Sequence, residues 1–295
     1  QDFIPVGLYG TNEGILEVSN IPPINLGERM QFLIRYPHGC IEQTTSSGFP
    51  QLYVDKLLEL NQKQRDDVPK NIQATINRLK LFQTSDGGFS YWPGEPTASD
   101  WGSNYGGHFI LEAKNLGYRL PPNMLSRWTK FQKKLARQWT YKSGGFSDHG
   151  SYNYNDLMQS YRLYTLALAG EPETGAMNRM RETDGISNQA KWRLAAAYAL
   201  IGKPEIAKAL IEKLPTEIAA YSELGGTYGS DLRDQGMILE TLTLMKDMND
   251  AADLVKTVSE KLSSQRWFST QTTAYCLLAV GKFAKDGFSD ENLQF

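Results

Sequence analysis

The chain has 295 residues, 40% of them hydrophobic, and 31 Lys and Arg against 33 Asp and Glu leave a net charge of −2. A chain this long buries roughly three quarters of its unfolded surface, enough for one large domain or two smaller ones. The scattered basic residues exclude a nucleic-acid groove or a polybasic membrane patch, and the longest apolar run, residues 194–201, falls far short of the ~20 residues of a membrane-spanning helix. Two cysteines, Cys40 and Cys276, with three histidines give neither a disulfide framework nor metal-ligand spacing, so no metal and no cofactor are expected.

In chain order, residues 1–26 differ from the rest. The start, Gln1-Asp2-Phe3, has no basic or apolar leader, so an export signal would belong to a longer precursor. Residues 14–21 carry β-branched side chains between a Gly and Pro22-Pro23, which predicts one strand without a sheet to receive it. We expect an N-terminal arm over 1–26, a remnant of an adjacent β domain, and a helical domain over 27–295. Apolar residues at three- and four-residue spacing predict helices over 53–60, 72–82, 105–116, 125–139, 157–169, 190–201, 205–214, 237–245, 251–262 and 270–283.

Between these helices a turn recurs. Gly87-Gly88-Phe89-Ser90 returns as Gly144-Gly145-Phe146-Ser147 and, more loosely, as Gly225-Gly226-Thr227-Tyr228-Gly229. Each copy follows an amphipathic helix and precedes a nearly all-apolar one. Paired helices of which one is buried all round require a closed double ring, an all-α α/α toroid with a short strand-like arm; an open helical solenoid would show a constant period.

The chemistry-bearing stretch is Tyr36-Pro37-His38-Gly39-Cys40-Ile41-Glu42-Gln43-Thr44-Thr45-Ser46. Three positions apart on a helical turn, Cys40 and Gln43 lie ~5–6 Å apart at Cβ, within reach for the sulfur to attack the carboxamide carbon, expel ammonia and leave an internal thioester. The run Tyr-Pro-x-Gly-Cys-x-Glu-Gln-Thr-Thr-Ser resembles the thioester signature of the α2-macroglobulin and complement family in its bacterial form, with bulky Ile41 between Cys and Glu. The likeness continues through residues 83–94, 101–118 and 267–275.

The resemblance implies the thioester domain of a bacterial α2-macroglobulin-like protease trap, an inhibitor and not an enzyme. Its partners would be target proteases captured covalently through lysine amines, and the other domains of the full-length protein, in the periplasm, the cell envelope or outside the cell. By residue, it implies that Cys40 supplies the sulfur and Gln43 the acyl group. It also implies that Tyr36 shields the bond or simply packs, and that Glu42 caps or orients the turn. His149 would intercept the acyl group as in complement-type members, although Asn153 and Asn155 fall at the same distance. His38 and His108 are expected to pack or cap, and Cys276 to lie in an inner helix. The reactive turn is expected at the rim of the ring, facing water.

Rival readings are a toroidal carbohydrate-active or terpenoid enzyme and a helical scaffold with a degenerate motif. Terpenoid chemistry needs DDxxD or DxDD, which do not occur; a glycosidase needs facing carboxylates, for which Asp100, Asp156 and Asp231 are the candidates near the turns.

Overall fold

The computed structural model describes residues 37–142 and 155–287. The expected arm, Tyr36 and the loop with His149 lie outside the described residues. Among the described residues there are eleven α-helices and no strand beyond isolated bridges at the turns. The helices are α1 (Ile41–Gly48), α2 (Gln62–Leu79), α3 (Asp100–Asn115), α4 (Met124–Gln138), α5 (Asn155–Leu168), α6 (Thr174–Arg181), α7 (Asn188–Leu200), α8 (Pro204–Ile211), α9 (Asp231–Met245), α10 (Met248–Ser263) and α11 (Thr270–Gly287).

The odd-numbered helices close on one another: α1 packs on α3, α3 on α5, α5 on α7, α7 on α9, α9 on α11, and α11 back on α1. The even-numbered helices lie outside, each against inner neighbours. This is the α/α toroid that the alternation of buried and amphipathic helices predicts. Because each inner helix is reached through an outer one, the inner helices run the same way and their N-termini share one rim. Hydroxyl caps start them: Ser99, Ser187 and Ser230 accept the N–H groups of Gly102, Ala190 and Arg233, and Ser269 that of Thr272.

Three details depart from the periodicity. Residues 53–60 form no α-helix: Phe49–Leu52 and Val54–Lys56 are 3-10 turns wedged against α11, where a side chain at Gly281 would meet Tyr53 Cβ at 2.6 Å. Helix α2 begins ten residues before the helix expected from the periodicity, because Asn61 and Gln64 form a capping box, each side chain taking the other's N–H at 2.9 and 3.0 Å. Helix α6 is too short for its apolar positions, Ala176, Met177 and Met180, to register as a period.

The inner helices are buried all round but not all apolar. On the ring axis the Glu240 carboxylate of α9 accepts from Arg193 Nη1 (2.8 Å) on α7, Tyr164 Oη (3.0 Å) on α5, and Tyr275 Oη (2.6 Å) and Lys282 Nζ (2.8 Å) on α11. Lys282 also reaches Glu112 Oε1 of α3 at 2.7 Å, and Tyr53 donates to Glu112 Oε2 at 2.7 Å. His108, Glu112 and Glu240 together have the donor set of a metal site, but the Lys282 ammonium already bridges the two carboxylates.

Burial alone would raise the Glu112 carboxyl; the Lys282 ammonium and His108 reverse this and hold it down, from 4.5 to about 2. A carboxylate lowered in the folded state contributes stability that is complete above its unfolded value and is lost as pH falls toward the folded one. The urea unfolding midpoint should therefore drop between pH about 4.5 and about 2, with a shallower slope in Glu112→Gln; equal slopes in the two proteins would remove Glu112 from the acid transition.

Candidate functional site

The Cys40–Gln43 turn sits at the start of α1. Cys40 is its N-cap, with extended backbone (φ −74°, ψ 179°), in the place that serine fills on the neighbouring inner helices. Gln43 is the third helical residue, and its Oε1 accepts the Cys40 N–H at 3.3 Å, the return half of a capping box with a thiol where a hydroxyl is usual. Folding a capping box therefore brings sulfur and carboxamide together. The same N–H would stabilise charge developing on the Gln43 oxygen during attack at the carboxamide carbon.

Gly39 makes the turn possible. It lies at φ +80°, and a Cβ there would fall 1.9 Å from Gln43 Oε1. Arg78 of α2 braces the turn from outside, donating from Nη2 to the Gly39 carbonyl (2.9 Å) and from Nε to Thr44 Oγ1 (3.2 Å), while Thr44 Oγ1 donates to the His38 carbonyl (3.2 Å).

Cys40 is only 3% exposed, whereas Gln43 is exposed. The turn lies at the rim as expected, but it is not open to water on both sides: the carboxamide faces outward and the sulfur is tucked beneath it. Glu42 turns away from the pair. Its Oε1 accepts from Ser46 Oγ and Thr270 Oγ1, both at 2.8 Å, and its carboxylate also meets the Gln271 backbone, so it ties α1 to the N-terminus of α11. Burial pushes the Glu42 carboxyl above the usual carboxylate range against these bonds.

Other candidates prove structural. Asp100, Asp156 and Asp231 stand in the first turns of α3, α5 and α9, where Asp100 pairs with Arg162, Asp156 accepts the Ser187 N–H at 2.6 Å and Asp231 lies 3.7 Å from Lys261. His108 belongs to the axial cluster, its Nδ1 2.9 Å from Tyr161 Oη, and His38 is exposed beside the turn. Cys276 is fully buried in α11, its Sγ donating to the Leu232 carbonyl at 3.2 Å, and burial pushes its thiol up.

Two neighbours of the turn escaped the sequence reading. Tyr91, whose carbonyl accepts the Ile41 N–H at 3.0 Å, and Tyr228 come from two of the repeated Gly-Gly turns and meet beside α1, their hydroxyls 2.5 Å apart. The recurrence of those turns was the available signal, since copies of one turn in a closed ring converge on one rim.

A family model described as the A-macroglobulin TED domain matches residues 17–161. α2-macroglobulin from Escherichia coli K12 is 30% identical over 99% of this chain, and its Xylella fastidiosa (strain Temecula1) counterpart is 26% identical over 87%. The chain belongs to the A-macroglobulin TED family. It spans 18% and 16% of the length of those two relatives. The crystal structure of native E. coli α2-macroglobulin from domain MG7 to the C-terminus superposes with a TM-score of 0.74 at 25% identity, covering 90% of this chain and 43% of that one. Salmonella α2-macroglobulin reacted with methylamine gives 0.72 at 26% identity, covering 90% and 18%.

Two outcomes follow for this TED domain. Gly39→Ala should displace the Gln43 side chain and abolish any reaction between it and Cys40 while the fold survives, read as unchanged far-ultraviolet circular dichroism with no amine uptake; uptake at the wild-type level would show that the turn does not need Gly39. In Gln43→Glu, where Cys40 keeps a free thiol, a thiol reagent should label Cys40 through local opening of the rim at least about tenfold faster than Cys276, which needs α11 to come away; peptide mapping that finds Cys276 labelled first in that variant would contradict this order.

Proposed function

We propose that Cys40 and Gln43 form an internal thioester with which the full-length protein, an exported protease trap, acylates the proteases it captures. The observation that carries the reading is the capping box, which sets the thiol of Cys40 and the carboxamide of Gln43 against each other across one helical turn. In forming the bond, Cys40 Sγ attacks Gln43 Cδ, the Cδ–N bond breaks, and the thiol proton leaves with ammonia. In using it, the amine of a protease lysine attacks Cδ, an amide forms, and the thiol returns. Each bond acts once, so the protein is a stoichiometric inhibitor and not a turnover enzyme.

Tyr36 and His149 enter this reading through the family pattern alone, Tyr36 as the aromatic shield and His149 as the acyl-intercepting histidine. Location in the periplasm, the cell envelope or outside the cell follows from the same likeness. The covering of the site by another domain of the full-length protein has a local support. The turns that carry Tyr91 and Tyr228 and the approach to α11 expose Trp92, Leu224 and Trp267, the last two at 85% and 72%.

Intact mass of the full-length protein tests the chemistry. The wild type should lack one ammonia relative to its sequence mass and should gain one methylamine at residue 43. Cys40→Ala should show neither change, and Gln43→Glu should keep a reactive thiol without ammonia loss. A wild type at its full sequence mass that takes up no amine would refute the thioester.

A further inference from the structure

Gly39 and Cys40 share one peptide group, and its two ends are held by different parts of the fold. The N–H end, from Cys40, donates to Gln43 Oε1 at 3.3 Å. The carbonyl end, from Gly39, accepts from Nη2 of Arg78 at 2.9 Å. The orientation of this one plane therefore decides whether the Gln43 oxygen meets a donor. Turned over, the plane would carry the N–H away from it.

Glycine makes such a turn easy. A peptide plane rotates about the ψ of the residue before it and the φ of the residue after it, and Gly39, at φ +80° and without a Cβ, restricts its own ψ little. The residue that clears room for the carboxamide, since a Cβ would fall 1.9 Å from Oε1, is thus also the one that leaves the plane loose. The neighbouring planes are fixed by Thr44, whose Oγ1 donates to the His38 carbonyl (3.2 Å) and whose N–H donates to the Cys40 carbonyl (2.9 Å). For the plane between them, Arg78 supplies the lock. It stands half-buried in the last turn of α2, its guanidinium 5.8 Å from the Phe82 ring centroid. A guanidinium holds its donors in a rigid fork, and among the described residues both hydrogen bonds of this one go to the turn, Nη2 to Gly39 O and Nε to Thr44 Oγ1 (3.2 Å).

We propose that Arg78 is a positioning residue for the thioester chemistry, locking the Gly39–Cys40 peptide so that its N–H faces the oxygen on which charge develops. The proposal rests on the thioester reading above. When the sulfur attacks Gln43 Cδ to expel ammonia, and again when an amine attacks Cδ to release the sulfur, the carbonyl electron pair moves onto Oε1. The same N–H receives it both times. Arg78 acts through the backbone: its cationic donor on the Gly39 carbonyl also polarises the N–H at the other end of the peptide, because hydrogen bonds in series strengthen one another. One donor aimed at such an oxygen is worth about a hundredfold or more in rate, and a plane free to turn over forfeits part of that.

The test uses the full-length protein with a heavy-carbon label at the glutamine carboxamide carbon. Thioester content comes from intact mass, and acyl transfer from thiol release during methylamine treatment, normalised to that content. The hydrogen bond to the acyl oxygen is read from the stretching frequency of the labelled thioester carbonyl, the infrared band that methylamine abolishes. Arg78→Met keeps the apolar stem; it should slow transfer at least about tenfold and raise the carbonyl frequency, as loss of a donor does. Arg78→Lys, which returns one cationic donor, should fall between Arg78→Met and wild type in both. A wild-type rate in Arg78→Met overturns the role of Arg78 while the thioester stands. So does a slowed Arg78→Met with an unmoved carbonyl band, since packing would then be responsible. Where Arg78→Met holds no thioester, Arg78→Lys decides by the same two readings, and either one at its wild-type value overturns the lock. A wild type without ammonia loss takes down both readings at once.

Discussion

The Glu240 carboxylate lies on the ring axis with Arg193, Lys282, Tyr164 and Tyr275 around it, and the inner helices keep their spacing only while that charge is matched. Glu112 adds a second buried negative charge, so two carboxylates face two cations. Removing one partner of such a set strands the rest in a low-dielectric interior, at about 3–5 kcal/mol. Helices α3, α5, α7, α9 and α11 each contribute a member. The axis is thus a polar hub that sets the radius of the ring, with apolar packing of inner on outer helices around it.

From that geometry the rim follows. Inner helices running the same way bring their N-termini to one side, where unpaired N–H groups and the positive ends of the helix dipoles gather. On α3, α7, α9 and α11 a serine hydroxyl answers that need. On α1 the same position holds a sulfur, and the glutamine that completes the box sets its carboxamide against it. The reactive pair is a helix cap with one atom exchanged, supported by Gly39 beneath it and Arg78 behind it.

Much of this was legible in the sequence. The period of three and four residues locates nine of the ten helices expected from it, and the Cys40-to-Gln43 spacing with its flanking motif locates the site. What escaped depends on contacts between distant segments. Residues 53–60 have a helical pattern, yet α11 presses Tyr53 into a tighter turn at Gly281. The apolar residues around 108, 112, 193, 240 and 282 do not announce that these five polar side chains will meet on an axis. Tyr91 and Tyr228 are 137 positions apart, and only the closed ring brings their hydroxyls together.

The clamp between Glu42 and Thr270 joins residues 228 positions apart in the chain. Since a ribosome adds about 5–20 residues per second, α1 leaves it roughly 10–50 s before its partner on α11 exists. During that interval Glu42 has neither Thr270 nor Gln271, Tyr91 lacks Tyr228, and the small cavity that lies beside Ile41 and Glu42 has no far wall. A contact of such high sequence separation is among the last a chain acquires. Biosynthesis therefore completes the surroundings of the Cys40–Gln43 turn last, and a nascent or truncated chain carries the motif without its enclosure.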